Sequence, residues 1–493
     1  MDKQRKHLFS SGMILAVIGS VALTLACSDD DDDGGTGGTG GAGATGGSGA
    51  TGGSGATGGT GGSGATGGSG ATGGMGGLGG AAGAAGAAGG DDGGAAGMGG
   101  EGGAAGAAGA AGSAGAAGAA GAAGAAGTGP DRDVFRPEQR PFSQERFDQL
   151  TVADGFTLQV FAADLGHARM LEPVGENGIL LSRPNQGDVL LLADTDADGE
   201  MDEQSTVVED MPGIHGLAAT ETQVFFATPT QLLVSEIAGN GSIGTPSVIV
   251  DDLPAGGQHP YRTLRYGSDD LLYVSIGSSC DACEQLDPEY ATIVRMAPNG
   301  SSRTLFAEGL RNTLGFDWHP ESGEMWGMDN GSDWRGNELP PEELNRIEEG
   351  SHYGWPYCYG DRQIDPIIQD PSGTTKEAFC AATEPSVLEN TAHGAPIGMV
   401  FYDGAQFPAE YQGDAFVVLR GSWNRFPPTG YKVIRVLFDD DGEPTGFEDF
   451  VSGFLIEDGA AHFGRLAGIT VAQDGAILFT DDTNGMVYRV AAE

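Results

Sequence analysis

The chain has 493 residues, of which 89 are glycine, against a usual share of about 7%. Lys plus Arg is 24 and Asp plus Glu is 69, a formal net charge of −45. That balance argues against a nucleic-acid binder, which needs basic surface to meet phosphates, and against a face that docks on anionic lipid. The 5 cysteines are too few for a disulfide-dense mini-scaffold.

The chain opens with Lys3, Arg5 and Lys6, followed by an apolar run from Met13 to Ala26. The run is short for a membrane span and has the order of a secretory signal: basic, then apolar, then small residues. It ends Leu23-Thr24-Leu25-Ala26-Cys27, which resembles a bacterial lipobox in which Cys27 carries lipid and becomes the mature N-terminus. An ordinary signal peptide with an incidental cysteine is the alternative. No second apolar span follows in the sequence. The expectation is therefore an exported, lipid-anchored protein whose folded part sits in the periplasm or at the cell surface. Residues 28–129 begin with the acidic run Asp29 to Asp33 and continue as almost only Gly, Ala, Thr and Ser. Such a stretch has almost no large apolar side chains to offset chain entropy, so a disordered tether is expected. Glycine at every third place invites a collagen reading, but the proline that collagen needs is missing.

From residue 130 to 493 the composition becomes globular. Six segments repeat one pattern of β-rich run, turn and second run: Ile179–Ala193, Val224–Ile237, Leu271–Met296, Glu324–Ile347, Ala415–Leu437 and Ala476–Val490. Helical periodicity is scarce, and Pro341–Asn345 could form at most one turn. The expected fold is all-β, a six-bladed β-propeller of about 60 residues per blade. A pair of β-sandwiches is the alternative. The uneven spacing places a large insertion between Ile347 and Ala415.

No HExxH motif or close histidine pair occurs, so a zinc hydrolase is unsupported. The CxxC at Cys280–Cys283 has no following histidine and is not a haem attachment site; in an exported protein a local disulfide is expected. Cys358 and Cys380 would then pair across the insertion, with Cys27 left for lipid. The segment "DTDADGEMD" sets Asp194, Asp196, Asp198 and Asp202 at the spacing of a calcium loop, though without the terminal glutamate of an EF-hand. A solvated acidic turn is the other reading.

The stretch from Gly309 to Gly360, beginning "GLRNTLGFDWHP" and ending "EEGSHYGWPYCYG", together with "QHPYRTLRYGSDDLLYVSIG" before it, resembles the soluble quinoprotein glucose dehydrogenase and sorbosone dehydrogenase family. "SSCDACE", "AHGAPIGMVFY" and "RGSWNR" look most like the sorbosone branch. The resemblance implies a six-bladed propeller that binds pyrroloquinoline quinone (PQQ) and calcium. It makes His259 the catalytic base, a role for which imidazole suits near-neutral pH. It makes Arg311, Asn312 and Arg465 cofactor contacts, and arginine forks match the carboxylates of PQQ. Arg420 and Arg425 are candidates for a further cationic contact, and His215 for another quinone-facing position. The resemblance places the quinone's calcium on the carbonyls of Gly331 and Ser332, and a structural calcium on Glu343 and the carbonyl of Tyr353. Two positions depart from the glucose dehydrogenases: Gln258 stands where an acidic residue precedes the base, and Leu314 where a glutamine follows the Arg-Asn pair.

The implied activity is PQQ- and calcium-dependent oxidation of an aldose or a sugar aldehyde such as an aldosone, with electrons passed to a periplasmic acceptor. A non-catalytic propeller that binds glycans or protein partners, and a metal-dependent lactonase on the same fold, are the rival readings.

Overall fold

Runs such as Leu272–Ile276 and Ala415–Leu419 hold consecutive apolar residues with little polar alternation, and every residue of both strands is buried. Strands of that kind must be covered on both faces. The computed structural model describes residues 134–493; the expectations for Cys27 and for the tether lie outside the described residues.

Six antiparallel sheets follow one another along the described residues. The first is Leu171–Val174, Gly178–Arg183, Asp188–Ala193 and Glu203–Val208. The second is Gly216–Ala219, Gln223–Ala227, Leu232–Glu236 and Ser247–Val250. The third is Arg262–Tyr266, Leu272–Ile276, Thr292–Met296 and Thr304–Glu308. The fourth is Gly315–Trp318, Met325–Asp329, Glu342–Ile347 and Leu388–Asn390. The fifth is Pro396–Phe401, Ala415–Leu419, Lys432–Phe438 and Pro444–Ser452, edged by Thr151–Val152. The sixth is Leu466–Val471, Ile477–Asp481 and Met486–Ala492, completed by Phe156–Ala162 from the start of the described chain. The six hairpins read from the sequence coincide with the second and third strands of these sheets.

Each sheet shares an apolar layer with the next. One layer joins the first and second sheets through Leu180, Val189, Val224 and Phe226; another joins the fifth and sixth through Phe416, Val433, Ile469 and Phe479. The sixth packs on the first through Phe161, Leu478, Leu181 and Leu190. The first strands approach so closely that glycine is needed: a Cβ on Gly468 would lie 2.2 Å from Arg169 O, and one on Gly216 would lie 2.5 Å from Arg262 O.

Pro341–Asn345 is not a helical turn. Glu342–Ile347 is a strand paired with Met325–Asp329, because tertiary pairing and the buried Glu342 and Glu343 carboxylates, which accept backbone N–H groups, outweigh local preference. The insertion lies between Ile347 and Leu388. It carries the short helix Lys376–Cys380, capped by Thr375, and the Cys358–Cys380 disulfide. Cys280 and Cys283 are also bridged. Among the described residues, no helix is long and apolar enough to cross a membrane.

Ahead of the sheets, residues 134–142 form a strap. Glu138–Gln139 pairs in parallel with Ala461–His462, Phe135 meets Phe426 edge-on at 5.0 Å, and Arg140 donates two hydrogen bonds to Glu457 at 2.9 Å each.

Candidate active site

In an antiparallel sheet the start of the first strand and the end of the second lie at the same end. His259 comes just before Arg262–Tyr266, Arg311 and Asn312 just before Gly315–Trp318, and Arg465 immediately before Leu466–Val471. Arg420 follows Ala415–Leu419, Asp329 closes Met325–Asp329, and Asp482 follows Ile477–Asp481. Different parts of the chain thus deliver these groups to one mouth. His259, Arg311, Asn312, Gly331, Arg420 and Arg465 line a single cavity. It shares Arg420, Trp423 and Arg465 with a neighbouring cavity of about 280 Å³, whose wall includes Arg136 from the strap, His167, His462 and Asp482.

His259 is buried, with Nδ1 3.0 Å from Ser278 O and 2.9 Å from Ser278 Oγ. A carbonyl only accepts, so Nδ1 carries the proton and Nε2 is left as the basic nitrogen. Burial, reinforced by the Arg311 charge, holds the imidazole well below its ordinary 6.5. It is therefore neutral near pH 7.

Asp329 fixes the Arg-Asn pair. It accepts from Arg311 N at 2.9 Å, Asn312 N at 2.8 Å and Thr313 Oγ1 at 2.8 Å, and burial raises its carboxyl to about 6. The Arg311 side chain reaches Asp281 Oδ1 at 3.1 Å and Asp333 Oδ2 at 3.2 Å. Glu342 accepts from Gly331 N at 3.0 Å and Ala395 N at 2.9 Å; burial raises it to about 7. Gly331, Ser332, Glu343 and Tyr353 line a second small cavity with Asp329. Glu343 accepts from Gly360 N at 2.6 Å, and burial, with Asp329 nearby, raises it to about 8.

Across the mouth, Asp482 accepts from Arg169 Nη1 at 2.7 Å and Arg420 Nη1 at 2.5 Å, with His167 Nε2 at 3.5 Å. Burial alone would raise this carboxyl, but Arg420 and Arg169 outweigh it and hold it at about 2.

Three of the expected residues lie apart from their groups. Arg425 does not line the cavity; its guanidinium binds Asn337 O and Glu338 beside the strap. His215 is fully buried and stacked on Tyr261 at 4.7 Å, so it lies behind the wall and lines neither cavity. Leu314, one of the two departures from the family pattern, packs in the apolar layer with Tyr261 and Ile397. In the acidic loop, Asp194, Asp196 and Asp202 converge, but Asp198 does not join them; its Oδ1 accepts from Glu200 N at 2.9 Å. The sequence reading missed Ser278, Asp281, Asp329 and Asp482. Their one signal is a polar residue at or just beyond the end of a β-rich run, as in "YVSIGSS", "GMDNG" and "FTDD".

A family model described as TrAA12-like matches residues 150–493. The chain belongs to this family. The family match begins after the strap, so Arg136 lies outside it. An uncharacterized protein of Borreliella burgdorferi is 36% identical over 239 residues, 48% of this chain and 61% of that one. A pyrroloquinoline quinone-dependent pyranose dehydrogenase of Coprinopsis cinerea is 33% identical over 171 residues, 28% of this chain and 22% of that protein. The chain thus spans less than two thirds of these relatives. Among solved structures, a Trichoderma reesei carbohydrate-active enzyme of family AA12 aligns with TM-score 0.61 at 21% identity, covering 70% of this chain and 98% of that one. The holo PQQ domain of the Coprinopsis cinerea pyranose dehydrogenase aligns with TM-score 0.60 at 20% identity, covering 72% and 98%. These likenesses establish the fold that the TrAA12-like family shares with them.

Proposed function

We propose that this chain is an exported, lipid-anchored sugar dehydrogenase that uses PQQ and calcium. We read its six sheets as the blades of a β-propeller, held on a tether formed by residues 28–129. The observation that carries the function is the meeting of His259, Arg311, Asn312, Arg420 and Arg465 at one cavity, with His259 in the tautomer a base requires. The names of the Coprinopsis relative and of its holo PQQ domain support the cofactor, and a calcium structure of the Trichoderma reesei enzyme supports the metal.

The residues present fit both groups. Asn312 Oδ1 and Arg420 Nε are buried without a hydrogen-bond partner, as polar atoms that await a ligand would be. Arg311, Asn312, Arg420 and Arg465 would hold the quinone's carboxylates and carbonyls. Gly331 and Ser332 would offer carbonyl oxygens to a calcium beside it, and Glu343 with the Tyr353 carbonyl would hold another; these are hard oxygen donors of the kind calcium takes. When bound, PQQ supplies the hydride acceptor and calcium polarises its carbonyl.

The chain's own part is proton handling and orientation. His259 Nε2 takes the hydroxyl proton of the sugar as hydride leaves the same carbon. Burial of the ring, reinforced by the Arg311 charge, disfavours the imidazolium and so favours return of that proton to solvent. Asp329 keeps the Arg-Asn turn from swinging away. The substrate class is an aldose or sugar aldehyde, and the electrons pass to a periplasmic acceptor. The test adds PQQ and calcium to the purified apo-protein, follows bound-quinone absorbance, then adds sugars one by one. Saturable binding followed by sugar-dependent bleaching is expected. No bound quinone at stoichiometric cofactor would defeat the reading.

A further inference from the structure

The CxxC of the sequence has no role in the function proposed above, yet its loop touches both halves of the site. Backbone bonds place it between them: Ser278 N donates to Arg311 O at 2.7 Å, and Gln258 N donates to Ser279 O at 3.0 Å. One thread runs to the base. Ser278 Oγ donates to Cys280 O at 2.7 Å, inside the bridged loop. Its single proton is thereby committed, so its lone pair faces His259 Nδ1 at 2.9 Å as an acceptor. The other thread runs to the cofactor arginine. Asp281 sits between the two bridged cysteines. Its carbonyl accepts from Arg311 Nε at 2.9 Å, and its carboxylate meets Arg311 Nη2 and Arg335 Nη1 at 3.1 Å each. The same carboxylate accepts from Asp333 N at 2.7 Å. Gln285 ties the loop shut, accepting from Ser279 N at 3.0 Å and donating to Cys283 O at 3.1 Å.

We propose that the Cys280–Cys283 loop is the positioning element of the site, with Ser278 setting the His259 tautomer and Asp281 holding the Arg311 fork. The claim rests on the reading of His259 as base and Arg311 as cofactor contact. Ser278 and Asp281 are positioning residues, since they act through those two groups. A four-residue loop without its bridge samples more conformations, and two side chains that must be set to within about half an ångström lose their reference.

The test uses the full chain and three variants: Ser278→Ala, Asp281→Asn and the double Cys280→Ser/Cys283→Ser. Three quantities are read: the PQQ Kd by absorbance titration, kcat with the best sugar, and the His259 tautomer from imidazole ¹H–¹⁵N spectra, assigned with His259→Gln. Ser278→Ala should leave Kd unchanged, lower kcat about tenfold and shift the Nδ1–H signal without moving the proton, because the hydroxyl acceptor is gone while the Ser278 carbonyl still accepts. Asp281→Asn should raise Kd about tenfold with kcat nearly unchanged, because it removes the charge that orients Arg311. The double cysteine variant should show both defects. Wild-type Kd, kcat and imidazole spectrum in a folded double variant would overturn the proposal; if that variant does not fold, wild-type values in both single variants would do so. Should the wild-type chain bind no PQQ, the function reading fails by itself. The imidazole spectra then still decide the Ser278 thread, which an unshifted Nδ1–H signal in Ser278→Ala overturns.

Discussion

The two walls of the mouth differ in which charge is in surplus. On the wall built from the third and fourth sheets and the insertion, Arg311 and Arg335 stand among Asp281, Asp329, Asp333, Glu342, Glu343 and Asp365. Burial drives several of these carboxyls up, to about 6 at Asp329, 7 at Glu342 and 8 at Glu343. On the opposite wall Arg169, Arg420 and Arg465 stand over Asp482 and Asp481, and Asp482 is held at about 2. Burial acts alike on both walls and raises Asp481 on the basic wall as well, to about 6; Asp482 alone falls, because Arg420 and Arg169 grip it directly. The acidic wall suits a cation and the basic wall suits an anion. A quinone with carboxylates, seated against calcium, asks for both at once.

The sharpest way to test the seam between the walls is His259→Gln. Loss of a general base should lower kcat by 10²–10⁴-fold while PQQ affinity changes little, because Arg311, Asn312 and Arg465 remain. Single-turnover quinone reduction at the wild-type rate would make His259 structural.

On the basic wall, Asp482→Ala leaves the fully buried Arg169 without its carboxylate, and should destabilise the fold by about 3–5 kcal/mol in denaturant unfolding. On the acidic wall, calcium at about a hundred times its Kd should add roughly 2.7 kcal/mol of stability, and a chelator should remove both that gain and the activity. A melting temperature indifferent to chelation, with no stoichiometric metal, would withdraw calcium from that wall.

Asp482 also predicts a pH effect. Its folded value of about 2 lies below the ordinary carboxylate value, so its contribution is complete above about 4 and fades as pH falls toward 2. In Asp482→Asn this acid limb of the stability curve should flatten. The pH profile of kcat/KM should meanwhile show no loss of base at 6.5, since His259 is held well below that value. A half-maximal rate at 6.5 would mean that the ring is not desolvated in the working protein. The smallest effect is expected from deletion of residues 28–129, which should leave melting and turnover unchanged while the strap is kept.

The strands most legible in the sequence are the ones with apolar residues on both faces. Val274 and Phe416 belong to runs that read as β in any context, whereas Glu203–Val208 is mostly polar, Ser247–Val250 is short and half exposed, and both emerge only through pairing. The site was partly legible for a related reason. In a chain with 24 basic residues, Arg311 and Arg465 carry information, and the family pattern placed them. With 69 acidic residues, Asp281, Asp329 and Asp482 have no contrast against the background, although they set the geometry. His215 and Arg425 show the converse: the right residue type near the right motif, turned elsewhere by Tyr261 and by the Asn337–Glu338 turn.

The sixth sheet has a consequence for the order of folding. Its outer strand, Phe156–Ala162, is the first long strand of the described chain and pairs with the last, Met486–Ala492; Thr157 Oγ1 donates to Ala491 O across 334 residues. Closing a loop of that length costs on the order of 5 kcal/mol of chain entropy. The five other sheets are built almost wholly from neighbouring strands and can form locally, whereas this one must wait for the final residues. Assembly therefore finishes at the seam, and until then the Phe161 layer has no partner. A chain of this topology cannot complete its fold before Met486–Ala492 has been made.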